Sequence, residues 1–162
     1  MIDIKDHVEQ AVSDMRTVTF QVSPPILYSL GLGAAIQWLV DDINTKNNMN
    51  ITYENQIEGA VNLSDNKKIF IYRSVRELVV NIIKHAETKE AGVVLSANKK
   101  DIIIKVRDNG VGFKMDPYTR TESLSFGLFS IKKRFDAIGG EVRIKSNPGK
   151  GSHISLLIPA GF

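Results

Sequence analysis

The stretch Ile102-Ile103-Ile104-Lys105-Val106-Arg107-Asp108-Asn109-Gly110-Val111-Gly112-Phe113 decides how the chain is read. Its first half alternates well enough to predict a strand. Asp108 closes that strand, and Gly110 and Gly112 follow at once. A carboxylate at a strand end can accept a hydrogen bond from an exocyclic amine, as purine recognition requires. The two glycines let backbone approach a ligand with no Cβ in the way. By itself D-x-G-x-G also fits an ordinary turn.

The pattern gains meaning from the helix predicted upstream, over about Lys67 to Ala86. Tyr72, Val75, Leu78, Val79, Ile82 and Ile83 form its apolar face. At about 100° per residue, Glu77, Asn81, Lys84 and His85 share one stripe, expected to face away from the core-packing side. A solvated helix face would look the same. The residue types add chemistry. Asn offers an amide oxygen to a hard cation, Lys and His offer positive charge to phosphates, and Glu can orient a nucleophile or metal-bound water.

Outward from this pair, residues 2–20 carry Ile4, Val8, Ala11, Val12 and Met15 at helical spacing. Ser23-Pro24-Pro25 breaks that helix. A second helix is predicted from about Ile26 to Lys46, with Leu27, Leu30, Ala34, Ala35, Trp38 and Leu39 as core. Strands are expected over Ile51–Ile57, near 91–98 and 101–107, and near 141–147 and 151–158. A short one is expected at Ala60–Leu63. Residues 114–126 lack periodicity and read as a loop. A last helix runs from about Gly127 to Ile138 and ends at Gly139-Gly140. Such an alternation suggests helices layered on one face of a mixed sheet, an α/β architecture.

At 162 residues the chain suits one domain, with or without an appendage, and its 43% hydrophobic content supports a globular core. The net charge of +3 comes from 21 Lys and Arg scattered among 18 acidic residues. No basic run interleaved with aromatics points to nucleic acid. With no cysteine, disulfides and thiolate metal sites are excluded. No apolar stretch is long enough to span a bilayer. Asp41-Asp42 point about 100° apart on a helix, so a solvated helix end is expected there.

Two further glycine elements complete the set. Gly127-Leu128 opens a helix after a loop, where free N–H groups and the helix dipole favour an anion. Gly149-Lys150-Gly151-Ser152 is otherwise a hairpin turn. The joint order is far more specific than any part: E-x-x-x-N on a helix, D-x-G-x-G after a strand, a loop, a G-L helix start, then G-x-G-S. In this order the chain resembles the ATP-binding domain shared by gyrase, Hsp90-type chaperones, histidine kinases and MutL. Residues 69–77, with Asn81 and Lys84-His85-Ala86, look like the N box of sensor histidine kinases, most like the NarX- and DesK-like subgroup. Lys133-Arg134, Gly139-Gly140 and Ser23-Pro24-Pro25-Ile26-Leu27 with Gly31-Leu32 are similar to that subgroup. The resemblance covers roughly residues 10–159.

It implies a two-layer sandwich of the Bergerat type: a mixed, mostly antiparallel sheet with helices on one face. It also implies roles. Asn81 would coordinate Mg²⁺ on the ATP phosphates, and Glu77 would hold metal-bound water or assist transfer. Lys84 and His85 would contact phosphate. Asp108 would read the adenine amine, with Gly110, Gly112 and Phe113 shaping the pocket. Residues 114–126 would be the ATP lid, Gly127 and Leu128 would close over the phosphates, and Ser152 would support the adenine side. Two boxes depart from the family: Ser125 replaces one glycine of the usual G-x-G-L, and Ser152 stands where Thr is common. No acceptor histidine is recognisable, since His7 lies too close to Ser23-Pro24 and His153 falls in the last strand.

The expectation is therefore a catalytic domain over residues 23–162, with 1–22 the tail of a dimerisation helix and linker. It would use ATP and Mg to phosphorylate a histidine on the parent kinase's dimerisation domain, and the phosphate would pass to a response-regulator receiver domain. A cytoplasmic location is expected, without nucleic acid or membrane contact by this segment; a membrane-anchored parent stays open. An anti-sigma-factor-type serine kinase, a gyrase- or MutL-type ATPase and a non-catalytic nucleotide-binding module remain the alternatives.

Overall fold

The computed structural model describes Val8 and residues 24–58, 63–114 and 126–159. The predicted helix over residues 2–20, most of the segment at 60–63 and the interior of the expected lid lie outside the described residues. Five strands form one sheet: β1 (Asn50–Asn55), β2 (Glu90–Ala97), β3 (Asp101–Asp108), β4 (Glu141–Ser146) and β5 (Ser152–Pro159). Their order is β1-β2-β3-β5-β4. β1 and β2 are parallel, and every other pairing is antiparallel. The parallel step follows from the long helix between β1 and β2, because a parallel pair needs a crossover, whereas β2–β3 and β4–β5 are joined by short turns. Asn98 fixes the first turn: its Oδ1 accepts the N–H groups of Lys100 and Asp101, each at 2.7 Å.

Strand alternation builds the core. Ile102, Ile104 and Val106 of β3 point inward and stand opposite Ile158, Leu156 and Ile154 of β5. The alternate residues of β3 face the other way: Lys105 and Arg107 are exposed and Ile103 is half-buried. One face of the sheet is thus apolar and buried, and the other is solvent-facing and mixed, with Ile103 opposite Leu157 among the charged residues, as the two-residue period of a pleated strand allows. Helices α1 (Ile26–Ser29), α2 (Gly31–Asn47), α3 (Asp65–His85) and α4 (Phe126–Ala137) pack on the apolar face, giving the expected two-layer α/β sandwich.

Local chemistry sets each helix. Ser64 caps α3, its hydroxyl accepting the Lys67 N–H at 3.4 Å, with Asp65 in the first turn and Lys84 and His85 in the last. Leu128, Ile131 and Phe135 recur at spacings of three and four, which makes the buried stripe of α4. Phe135 is fully buried and meets Phe70 of α3 with ring centroids 4.9 Å apart. Burying such a ring contributes about 3 kcal/mol. Asn44 ties α2 to β1 by a two-way bond: its Oδ1 accepts the Ile51 N–H and its Nδ2 donates to the Ile51 carbonyl, both at 2.9 Å.

Three expectations need correction. The helix predicted as continuous from Ile26 to Lys46 is two, broken at Leu30, because Gly31 takes a positive φ of 86°. That break turns Leu30 out, 69% exposed, and leaves Ala34 and Trp38 half-buried; Ile36, Val40 and Ile43 supply core instead. β1 stops at Asn55 rather than Ile57, since Asn55 Oδ1 accepts the Ile57 N–H at 3.1 Å and turns the chain. Asp41 and Asp42 are the solvated pair expected, engaged locally by Gln37 and Lys46.

Candidate nucleotide site

A cavity of about 230 Å³ opens between α3, the start of α4 and the ends of β3 and β5. Leu78, Ile82, Val106, Leu128, Phe113 and Ile154 give it apolar walls. Asn81, His85, Asp108 and Ser152 supply polar groups, and Gly112 and Ala86 supply backbone. Flat apolar walls with a few placed polar groups are what a purine needs.

Asp108 is the polar group deepest in this cavity wall, only 8% exposed. Its Oδ1 accepts the Gly110 N–H at 2.9 Å. That bond fixes the carboxylate and leaves the other oxygen as an acceptor. The loop after it is stitched on both sides. Val111 donates its N–H to the Ala86 carbonyl at the end of α3 (2.8 Å), and the Val111 carbonyl accepts the Gly149 N–H (2.7 Å).

The protein's own backbone also requires the glycines of this loop. A Cβ on Gly110 would overlap the Ala86 carbonyl oxygen. A Cβ on Gly112, whose φ is 59°, would overlap the Asn147 carbonyl oxygen. Both let protein backbone meet protein backbone; Gly112 alone also lines the cavity. Gly151 serves likewise, at φ 68° against the Asp108 carbonyl.

Sequence reasoning missed Ser146. Only 7% exposed, it holds the two glycine boxes together. Its hydroxyl accepts the Phe113 N–H at 2.9 Å, lies 3.0 Å from the Gly151 carbonyl and 3.1 Å from Ser152 Oγ. A serine at a strand end has no periodic signature, and its partner Phe113 is 33 positions away.

At the other end, Glu77 and Asn81 are half-buried, and Lys84 and His85 are exposed. The stripe does not face away from the core. Asn81 and His85 share the cavity wall with Leu78 and Ile82, because three and four residues on a helix advance only to a neighbouring edge of the same face. Lys84 is not part of that wall, and neither are Gly110, Glu77 and Gly127. Glu77 instead abuts the start of α4: a Cβ on Gly127 would overlap its Oε1 and sit 3.4 Å from Asn81 Nδ2. That nitrogen is buried with no hydrogen-bond partner among the described residues. Among the described residues no cluster of three or more His, Cys, Asp or Glu could hold a metal alone. A hard cation would therefore take the Asn81 oxygen and complete its shell from a ligand's oxygens and water. The donor set fits that use.

Comparison with known proteins agrees with this geometry. Residues 66–161 match the family described as histidine kinase-, DNA gyrase B-, and HSP90-like ATPase. The chain is 30% identical over 150 residues to the sensor histidine kinase LiaS of Bacillus subtilis, covering 93% of this chain but 40% of that protein. It thus spans well under half the length of that relative. In fold it resembles the blue-light activated histidine kinase of Erythrobacter litoralis, with TM-score 0.69, 18% identity and coverage of 91% of this chain and 50% of that one. It also resembles the Acinetobacter baumannii histidine kinase AdeS, with TM-score 0.62, 14% identity and coverage of 97% and 80%. No helix among the described residues is long and apolar enough to cross a membrane. The chain belongs to the histidine kinase-, DNA gyrase B- and HSP90-like ATPase family, as an ATP-binding catalytic domain of the sensor-histidine-kinase type.

Proposed function

We propose that this domain binds Mg-ATP with adenine against Asp108 and phosphates toward Asn81 and the start of α4. Within its parent kinase it would pass the γ-phosphoryl group to a histidine of the dimerisation domain, and thence to an aspartate of a response-regulator receiver domain. The observation that carries the reading is the fixed Asp108 carboxylate, bonded through one oxygen to Gly110 and set in an apolar cavity. A free carboxylate oxygen accepts from the adenine amine, whereas the carbonyl of guanine would face it acceptor to acceptor.

Each side chain then has a stated task. Phe113, Leu128 and Ile154 hold the base, and Ser152 is a hydroxyl on the same wall. His85 lies at the rim, where it can donate to a phosphate oxygen. Lys84, exposed on the same turn, is a cation for the phosphates, reaching them from outside the cavity wall. Gly127 and Leu128 present the start of α4 to negative charge. When bound, Mg²⁺ supplies charge neutralisation across the phosphate oxygens. Glu77, beside Gly127, is placed to order water near that end. In the transfer a P–O bond to ADP breaks, a P–N bond to the imidazole forms, and the imidazole loses its proton.

Calorimetric titration with Mg-ATP and Mg-GTP tests this. Saturable ATP binding, much weaker GTP binding, and loss of that preference in Asp108→Asn are expected. Asparagine can keep the Gly110 bond through its oxygen, but then presents N–H to the adenine amine. Equal affinity of Asp108→Asn for ATP would remove Asp108 from base recognition. A labelled phosphate that is acid-labile on the supplied dimerisation domain supports histidine transfer; an acid-stable one would point to serine transfer.

A further inference from the structure

The solvent face of the sheet carries a second polar pocket, of about 280 Å³, lined by Arg107, Lys145, Lys150 and His153 with Asn109 and Asn147 beside them. The register brings these side chains together. Arg107 of β3 stands directly opposite His153 of β5, and His153 stands directly opposite Lys145 of β4. Lys150 reaches the same pocket from the β4–β5 turn. The Arg107 guanidinium and the Lys145 and Lys150 ammonium groups are like charges gathered at one pocket, so their repulsion costs stability unless something offsets it.

Nothing among the described residues does so. None of the four side chains has an ion pair or hydrogen bond among the described residues. Two positions along β4, by contrast, Arg143 is held by Glu141 at 2.7 Å. Among the described residues the one carboxylate bordering the pocket, Asp108, is 8% exposed and has one oxygen committed to Gly110.

From this convergence we propose that the pocket is a binding site for a small phosphate-class oxyanion, either inorganic phosphate or a phosphomonoester. A guanidinium fork with two ammonium groups matches a doubly charged tetrahedral anion better than a single carboxylate. Asn109 and Asn147 add neutral donors. Asp108 and Ser152 line both this pocket and the cavity on the opposite face. An anion here therefore rests against the back of the wall that faces the base. The site stands on its own residues and does not depend on the nucleotide reading.

The test is an NMR titration of the full chain, ¹⁵N-labelled, with inorganic phosphate at constant ionic strength set by sodium chloride. Saturable shifts of the residue 107, 145, 150 and 153 amides are expected, persisting when Mg-ATP is present. Arg107→Gln with Lys145→Gln should weaken phosphate binding by about tenfold or more. Both side chains are exposed and their mutual repulsion is relieved, so the melting temperature should not fall. Shifts that chloride reproduces, affinity unchanged in the double variant, or phosphate displaced by ATP would each overturn the proposal. So would binding to phosphatidylserine vesicles with none to phosphate, which would make this face a lipid surface instead.

Discussion

Replacing Ser146 with alanine removes one oxygen and strands three groups. The Phe113 N–H, bonded to it at 2.9 Å, loses its acceptor in a part-buried place. The Gly151 carbonyl and the Ser152 hydroxyl lose a partner at 3.0 and 3.1 Å. An unmet buried N–H costs about 1–3 kcal/mol, while a carbonyl with two lone pairs and a hydroxyl that can rotate lose less. The net destabilisation is then about 2–3 kcal/mol. For a chain of this size that lowers Tm by about 4–12 °C. The assay is urea unfolding at matched m, so that the midpoint alone reports stability. Because Phe113 and Gly112 line the nucleotide cavity, the same variant should bind Mg-ATP more weakly under conditions where it is fully folded. A midpoint shift worth under roughly 0.5 kcal/mol would refute the reasoning, since that is the scatter of inert surface substitutions.

Gly110→Ala and Gly149→Ala separate two uses of glycine. The first would drive a Cβ into the Ala86 carbonyl and should cost well over 2 kcal/mol, whereas at Gly149, with φ 74° and open space around it, only the left-handed backbone penalty of about 1 kcal/mol applies; comparable midpoints in urea would contradict the packing argument. Chelating Mg²⁺ with EDTA should weaken ATP binding by the unaltered chain roughly tenfold and by Asn81→Ala less than about threefold, read by calorimetry; equal losses would exclude the Asn81 oxygen as a ligand. Burial pushes the Tyr53 and Tyr72 hydroxyls up to about 12 from 10. The folded chain therefore keeps protons that the unfolded chain releases, so stability is whole below pH 10 and falls as pH rises toward 12. Tyr72→Phe, whose lost hydroxyl has no partner among the described residues, should be no less stable at pH 7 and should lose less at pH 11 in thermal melts.

Much of this molecule is legible without coordinates, and the reason is locality. Helical and strand periods are written within ten or twenty residues, so α3, β2, β3 and α4 fall within one or two residues of where the sequence puts them. The glycine boxes and the N box are likewise contiguous, so the family can be read from them. What escaped was either a single backbone angle or a contact between distant segments. The positive φ of Gly31 divides a helix whose side chains still read as continuous. The stripe of Glu77, Asn81, Lys84 and His85 is one pattern on a helical wheel, yet only the position of α4 decides that Asn81 and His85 line a cavity while Glu77 abuts Gly127.

The sequence by itself determined which residues are acidic, apolar or free of a side chain, and with what period they recur. That sufficed for the layer architecture and for the family. Only the tertiary structure decided which backbone each glycine must admit, that Ser146 locks two loops 33 residues apart to one another, and that Arg107, His153 and Lys145 form a row across three strands. Periodicity is a property of neighbours along the chain. Pairing across a sheet is set by burial summed over the whole core, and no local segment contains it.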